Sequence, residues 1–509
     1  MRAHALRLLL ALGLAARAAP TPPSSCKFAA HYTCASLVAS PSTLAAFTLD
    51  MARAEAAHHA AGIGYDGATG YTLDGQPLDF ATGLAAGPPH AFSAPSKESL
   101  HVALLALAIN GSAVAGALYA PAAAVALLAR KVAAYETWNA SYPGAGCFMP
   151  WVAVSAAGLA PTADWATPLR LPGLDNGEWA WALLAASAAL DAAGERALGA
   201  RYRAYFDCLA GNAKAIFYAG GGRVAAIAAV HDVLAPVAPD NYDRTGALAD
   251  PYEGETLTVL LDLFADWSDP AERDSLWAAK RAQLVARDYA AWPSGARVTT
   301  QLGFWFSAHE QWKTLLLPYL DVPLVRDIFA NAERVRTMDA ARHGVPGLFA
   351  SVNGPTRGGN VDGGYISALG VPEMASQSVT RRDVVTPYGA AMLFLHNASA
   401  AACWHREVLA ARRGQGPLGA TAALFVNGSG LAPLVTWDSS DTTILGAAGG
   451  ASMLVRGALA PAQYARFVTV VAREHAAVFG ARVAGTGEAF ALPTASVPRV
   501  LDEWAACSV

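Results

Sequence analysis

Apolar residues recur every three to four positions in segment after segment of this chain, the spacing that places them on one face of an α-helix. The runs 43–60, 97–108, 122–138, 177–209, 253–267, 270–290, 307–320, 322–337, 386–396, 400–412 and 461–479 all carry it, which predicts about a dozen helices. Strand-like pieces are few and short. Residues 215–218 and 224–230 flank Gly220-Gly221-Gly222 as a hairpin, and 348–352, 424–426 and 453–455 are further candidates. Strand and helix do not alternate, which argues against a Rossmann sheet or a TIM barrel. No repeat of about 34 or 40 residues betrays a solenoid. The long stretches 142–172, 240–252 and 353–386 are rich in Gly, Trp and charge, as loops that build a cleft on one face would be. The expected fold is all-α dominated, an (α/α)6 toroid barrel with a few short strands and hairpins in the cleft loops.

Residues 1–18 have the parts of a secretory signal: Arg2 and Arg7, an apolar run over 8–15, and Ala16-Arg17-Ala18 as a small-residue cleavage site. That leaves 19–509 as one catalytic domain, since no linker divides it, and places the protein outside the cell. The Ala-rich stretch 102–129 is long enough to raise the membrane question, but Asn110, Gly111, Ser112 and Pro121 interrupt it, so two buried helices are the better account. A net charge of -4 with scattered Lys and Arg provides no basic field for nucleic acid. Six cysteines are an even number, and an oxidising route lets them pair. Cys26 with Cys34 is the easiest local pair, while Cys208, in a helical run, reads equally well as a buried thiol. The absence of C-x-x-C spacing speaks against a zinc or thioredoxin motif. Sequons at Asn110, Asn139, Asn397 and Asn427 suit a secreted glycoprotein.

Two motif matches can be set aside. Gly62 to Gly67 fits G-x-G-x-x-G but follows a helical run instead of a strand, and reads as a helix-ending turn. His309-Glu310-Gln311-Trp312-Lys313 starts like a zincin helix, yet Lys313 stands where the second ligand is needed. What remains is carboxylate and tryptophan gathered at loop-to-helix junctions. These are Asp175-Asn176-Gly177-Glu178-Trp179-Ala180-Trp181, Asp250-Pro251-Tyr252-Glu253-Gly254-Glu255, the segment at His309, and Trp437-Asp438-Ser439-Ser440-Asp441. Glycosidic cleavage uses two carboxylates, and indole faces stack on pyranose rings. In the second cluster Asp250 reads as an N-cap, Pro251 as the first helical residue and Glu253 as a capping-box glutamate. Glu255 is then free to project into a cleft, with burial raising its pKa toward that of a working acid. Glu255 is the first choice of acid and Glu253 the second. Asp438, in a polar loop, and Asp441 both read as base, turn or cap residues.

The segments Phe92 to His101, Asp175 to Trp181, Asp250 to Glu255 and Ser307 to Lys313 together resemble glycoside hydrolase family 162, the fungal-type endo-β-1,2-glucanases. The resemblance runs in order from about Cys26 to Trp504. It implies an (α/α)6 barrel with no cofactor or metal, and an inverting endo mechanism on linear β-1,2-glucan that releases sophorose-type oligosaccharides. It implies an acid in the Tyr-Glu-Gly-Glu segment and a distant aspartate base that draws its proton from water through a substrate hydroxyl, which ranks Asp438 above Asp441. Asp175, Asn176, Glu178, Trp179, Trp181, Tyr252, Glu253, His309, Glu310, Trp312 and Lys313 would line subsites, with Arg382 on a covering loop. Trp179 and Trp181 point about 200° apart on a helix, so only one would face the cleft. The implied partner is a β-glucan polysaccharide or oligosaccharide, and the implied state a monomer. Two other readings stay open: an exo-acting or transferring enzyme on the same toroid, and a non-catalytic carbohydrate-binding scaffold.

Overall fold

Proline opens six of the long helices: Pro41–Glu55, Pro95–Ile109, Pro121–Ser141, Pro270–Arg281, Pro323–Arg342 and Pro461–Phe479. Its fixed φ suits the first turn, and its missing N–H is one that has no intrahelical partner there. In the computed structural model, which describes residues 26–249 and 254–507, these helices form two layers. Pro95–Ile109, Gly173–Ala192, Glu255–Phe264 and Trp437–Ala447 are buried on nearly every side. Pro121–Ser141, Arg196–Phe217, Pro270–Arg281 and Pro461–Phe479 bury a single stripe. A helix that is apolar all round must be covered all round, and the amphipathic helices supply the cover. Each of the first three inner helices packs on the outer helix that follows it, and inner helices also pack on one another. This is the toroid expected from the sequence. Gly177 permits one of the close approaches: a Cβ there would stand 2.5 Å from Thr256 Oγ1 and 2.7 Å from the Leu257 nitrogen.

Sixteen strands of two to five residues form seven small sheets among the described residues. One matters most for the site. Gly75–Pro77 pairs antiparallel with Leu434–Thr436, Gly75 opposite Thr436, and joins segments far apart in sequence beside the inner helices. The stretch 102–129 does split into the Pro95–Ile109 and Pro121–Ser141 helices, and no described helix is long and apolar enough to cross a membrane.

Several expected elements differ. The run 177–209 is broken at Gly194, whose φ of 89° a helix cannot continue, and 270–290 stops at Arg281 before the Ala286–Ala290 strand. Residues 307–320 and 386–396 are chains of 3₁₀ turns, with one single-turn α-helix at Lys313–Leu316, instead of continuous helices. Residues 215–217 finish a helix, so only a Tyr218–Val224 bridge is left of the glycine hairpin, and 453–455 lie within the Ser452–Ala458 helix. Asp438 stands in the first turn of the Trp437–Ala447 helix and not in a loop, because Thr436 accepts a hydrogen bond from the Ser439 N–H and caps it.

All six cysteines pair, as Cys26–Cys507, Cys34–Cys403 and Cys147–Cys208. The local Cys26–Cys34 pairing is therefore wrong, and Cys208 is not a free thiol. Cys34 opens a short helix that packs on the Ala398–Leu409 helix carrying Cys403, so tertiary packing overrides sequence proximity.

Buried histidines make the fold sensitive to acid. Burial alone pulls His58 down to about 3, and His405 falls to about 4 by burial against one hydrogen bond to the Pro387 carbonyl. A folded value below the unfolded one means a contribution fully present above about pH 6.5 and lost as pH falls toward those folded values. The urea midpoint should therefore drop steeply between about pH 6.5 and 4. His405→Gln, which keeps an N–H for the Pro387 carbonyl, should flatten that slope, and an unchanged slope would count against the assignment.

Candidate active site

A cavity of about 440 Å³ opens where the N-terminal ends of three inner helices meet. Pro95–Ile109 delivers Ser96 and Lys97, Gly173–Ala192 delivers Leu174 and Asp175, and Trp437–Ala447 delivers Asp438. Asp74, just ahead of the Gly75–Pro77 strand, completes the polar floor. Phe92, Trp151, Trp312 and Tyr365 form aromatic walls, with His309, Asn353 and Tyr388 between them. Carboxylates with aromatic faces are what a pyranose needs, since its rim is hydroxyl and its faces are apolar.

Lys97 ties the floor together. Its Nζ donates to Asp438 at 2.9 and 2.8 Å and lies 2.9 Å from Asp74 Oδ1. Burial would lower the ammonium, but the Asp438 and Asp74 charges outweigh it and raise Lys97 above its ordinary value. Burial likewise pushes Asp74 up, yet Lys97 and His90, whose Nδ1 is 2.9 Å from Asp74 Oδ2, hold it well below the usual carboxylate range. Asp175 moves the other way. Burial raises it, against hydrogen bonds from Trp151 Nε1 at 2.7 Å and from Ser96. His309 is pulled to about 3 by burial and the Arg336 charge, so it meets a ligand as neutral imidazole.

The family model described as Endo-beta-1,2-glucanase SGL matches residues 71–508. The chain belongs to that family. It is a glycoside hydrolase. A solved endo-beta-1,2-glucanase from Talaromyces funiculosus, in complex with sophorose, is 37% identical with a TM-score of 0.90, covering 95% of this chain and 100% of its own. A Glu-to-Gln mutant of that enzyme with beta-1,2-glucan is 36% identical at the same TM-score, over 96% of this chain and 100% of its own. An endo-beta-1,2-glucanase from Chitinophaga pinensis shares the fold alone, at 11% identity and a TM-score of 0.57 over 85% and 98% of the two chains. Among curated proteins no sequence match is found.

In this glycoside hydrolase the cleft receives Asp175, His309, Trp312 and Asp438 of the residues expected from the sequence. Asp250, Pro251, Tyr252 and Glu253 lie outside the described residues. Glu255 does not project into the cleft. The helix starts at Glu255 itself, and the side chain, 1% exposed, accepts from Lys313 Nζ at 2.8 Å and from the Tyr319 hydroxyl at 2.6 Å. Burial pushes it up, but Lys313, His475 and Lys280 overcome that, and its pKa ends below the ordinary value, opposite to the expected shift. Lys313 is thereby placed in the core and not in a subsite.

Asp441 points inward as well, 3.3 Å from His59 Nε2 and fully buried. Trp179 packs on Tyr135 and Tyr205, and Trp181 donates to the Thr256 carbonyl, so both indoles are core and neither faces the cleft. Asn176 latches to the Met149 and Pro172 backbone, and Glu178 is buried away from the cleft lining. Glu310 closes a capping box with Ser307 and also accepts from the Phe304 and Trp305 N–H groups. Arg382 pairs with Asp339 instead of lining the cleft.

Asp74, Lys97 and Trp151 were not singled out by sequence reasoning. Lys97 and Phe92 lie inside a family motif, and Trp151 inside a long loop, but nothing local marks Asp74. Lys97→Met should leave Asp74 and Asp438 facing each other without the ammonium and displace the latter. A fall in kcat of about 100-fold is expected, with far-UV circular dichroism unchanged; wild-type kcat in the variant would show that Lys97 does not hold Asp438.

Proposed function

We propose that the chain is a secreted endo-acting hydrolase that cuts linear β-1,2-glucan with inversion and releases sophorose-type oligosaccharides. The observation that carries the reading is the carboxylate and aromatic cleft around Asp438, in a chain 37% identical to an endo-beta-1,2-glucanase solved with sophorose. Inversion needs a proton donor for the leaving oxygen and a base for water on the opposite face of the sugar. Asp438 takes the base role and acts on water through a substrate hydroxyl, while Lys97 fixes its carboxylate. With Glu255 bound to Lys313 and Tyr319, the donor role goes to Glu253, the other glutamate of the motif.

Residues 19–509 act as one catalytic domain, as a monomer, after removal of 1–18. Three disulfides suit an oxidising compartment, and Asn110 and Asn427 stand exposed for glycosylation. A second reading gives proton donation to Asp175, which lies in the cleft with its carboxyl raised by burial.

Product analysis on linear β-1,2-glucan tests these assignments. Proton NMR at early times should show the α-anomer; a β-anomer would replace inversion by retention. Glu253→Gln and Asp438→Asn should each lose about 10²- to 10⁴-fold in kcat. Glu255→Gln should keep most of kcat but destabilise by about 3–5 kcal/mol, because it removes one charge of the buried Lys313–Glu255 ion pair. If Glu253→Gln remains active and Asp175→Asn does not, the donor is Asp175.

A further inference from the structure

We propose that the aromatic row Trp165, Trp151 and Phe92 is a binding ledge for glucosyl units of the substrate that lie beyond those held between the cleft carboxylates. The proposal rests on the glucanase reading above and concerns the path of the polymer outside the cleft. The row stands on a small antiparallel sheet of Phe92–Ser93, Val152–Ser155 and Gly158–Pro161, extended by the short helix Ala163–Ala166 that carries Trp165. Ring centroids are 4.7 Å apart between Trp165 and Trp151, tilted by 30°, and 5.6 Å between Trp151 and Phe92, edge to face. His90 stacks on Phe92 at 5.5 Å and bonds Asp74, which ties the row to the polar floor.

Phe92 and Trp151 line the cleft, and Trp165, half-buried and packed on Trp151, lies next in the row beyond that lining. Trp151 is 37% exposed, yet its Nε1 is fixed on Asp175. A large aromatic held rigid and open at the rim of a saccharide cleft presents a face that a sugar can cover at small entropic cost. Contact at Trp165 is remote from the bond being cut and is equal in ground and transition states. It should therefore lower KM without changing kcat, and only for chains long enough to reach it.

The test compares kcat and KM on linear β-1,2-glucan polymer with those on the shortest β-1,2-oligosaccharide the enzyme cleaves. Trp165→Ala should raise KM on the polymer by about three- to tenfold, with kcat unchanged and the short substrate unaffected, while Trp165→Phe should retain most of the wild-type KM. If the alanine variant misfolds, Trp165→Leu, which covers Trp151 but has no flat face, provides the same readout. Equal losses on long and short substrates, or no loss on either, would overturn the ledge while leaving the glucanase reading intact. A wild-type enzyme inactive on every β-1,2-glucan length would overturn both.

Discussion

Lys97 sits at the third position of an inner helix, where the dipole disfavours a cation, and its ammonium is nearly withdrawn from water. Desolvating an ammonium costs several kcal/mol, and only two carboxylates within hydrogen-bonding distance offset it. Asp74 and Asp438 are brought there by the ladder in which Gly75 faces Thr436, one carboxylate beside each strand. A one-residue slip in that ladder would turn the flanking side chains to the other face and leave Lys97 without its partners. The charge pairing thus constrains register, helix position and the shape of the cleft floor together.

Helix placement was legible wherever the determining signal was local. Pro461 begins a helix and Gly480, at φ 72°, follows its last residue, and the sequence reading found both ends of that element. The site was less legible because a carboxylate's role depends on which side of an inner helix it occupies. Glu255 and Asp438 both stand in the first turn of an inner helix, yet one faces a buried lysine and tyrosine and the other the cleft. Capping grammar pointed Glu255 into the cleft, whereas its carboxylate turns to Lys313 and Tyr319. Asp74 carries no signal at all, since its meaning arises from a strand pairing with residues at the far end of the chain.

The tryptophans divide on the same principle. Trp179 and Trp181 belong to a helix packed on all sides, so both indoles are core whichever way the helical wheel turns them. Trp151 precedes a strand and Trp312 follows a 3₁₀ turn, and both reach the cleft. In a toroid whose inner helices are buried all round, side chains for a ligand come from helix ends and the loops ahead of them. Aromatics in such loops are better markers of a sugar site than aromatics within the helices.

The position of the cleft also bears on how two carboxyl groups can differ in one site. Ser96 and Lys97, Leu174 and Asp175, and Asp438 all lie in the first turns of inner helices, so three positive helix ends converge on the cavity. That field favours ionised carboxylates, which suits a base and works against a proton donor. A donor must either resist the field through burial, as Asp175 does, or stand clear of the helix ends. Glu255 is a first-turn residue of the Glu255–Phe264 helix, with a lysine charge beside it. That position counts against Glu255 as a proton donor.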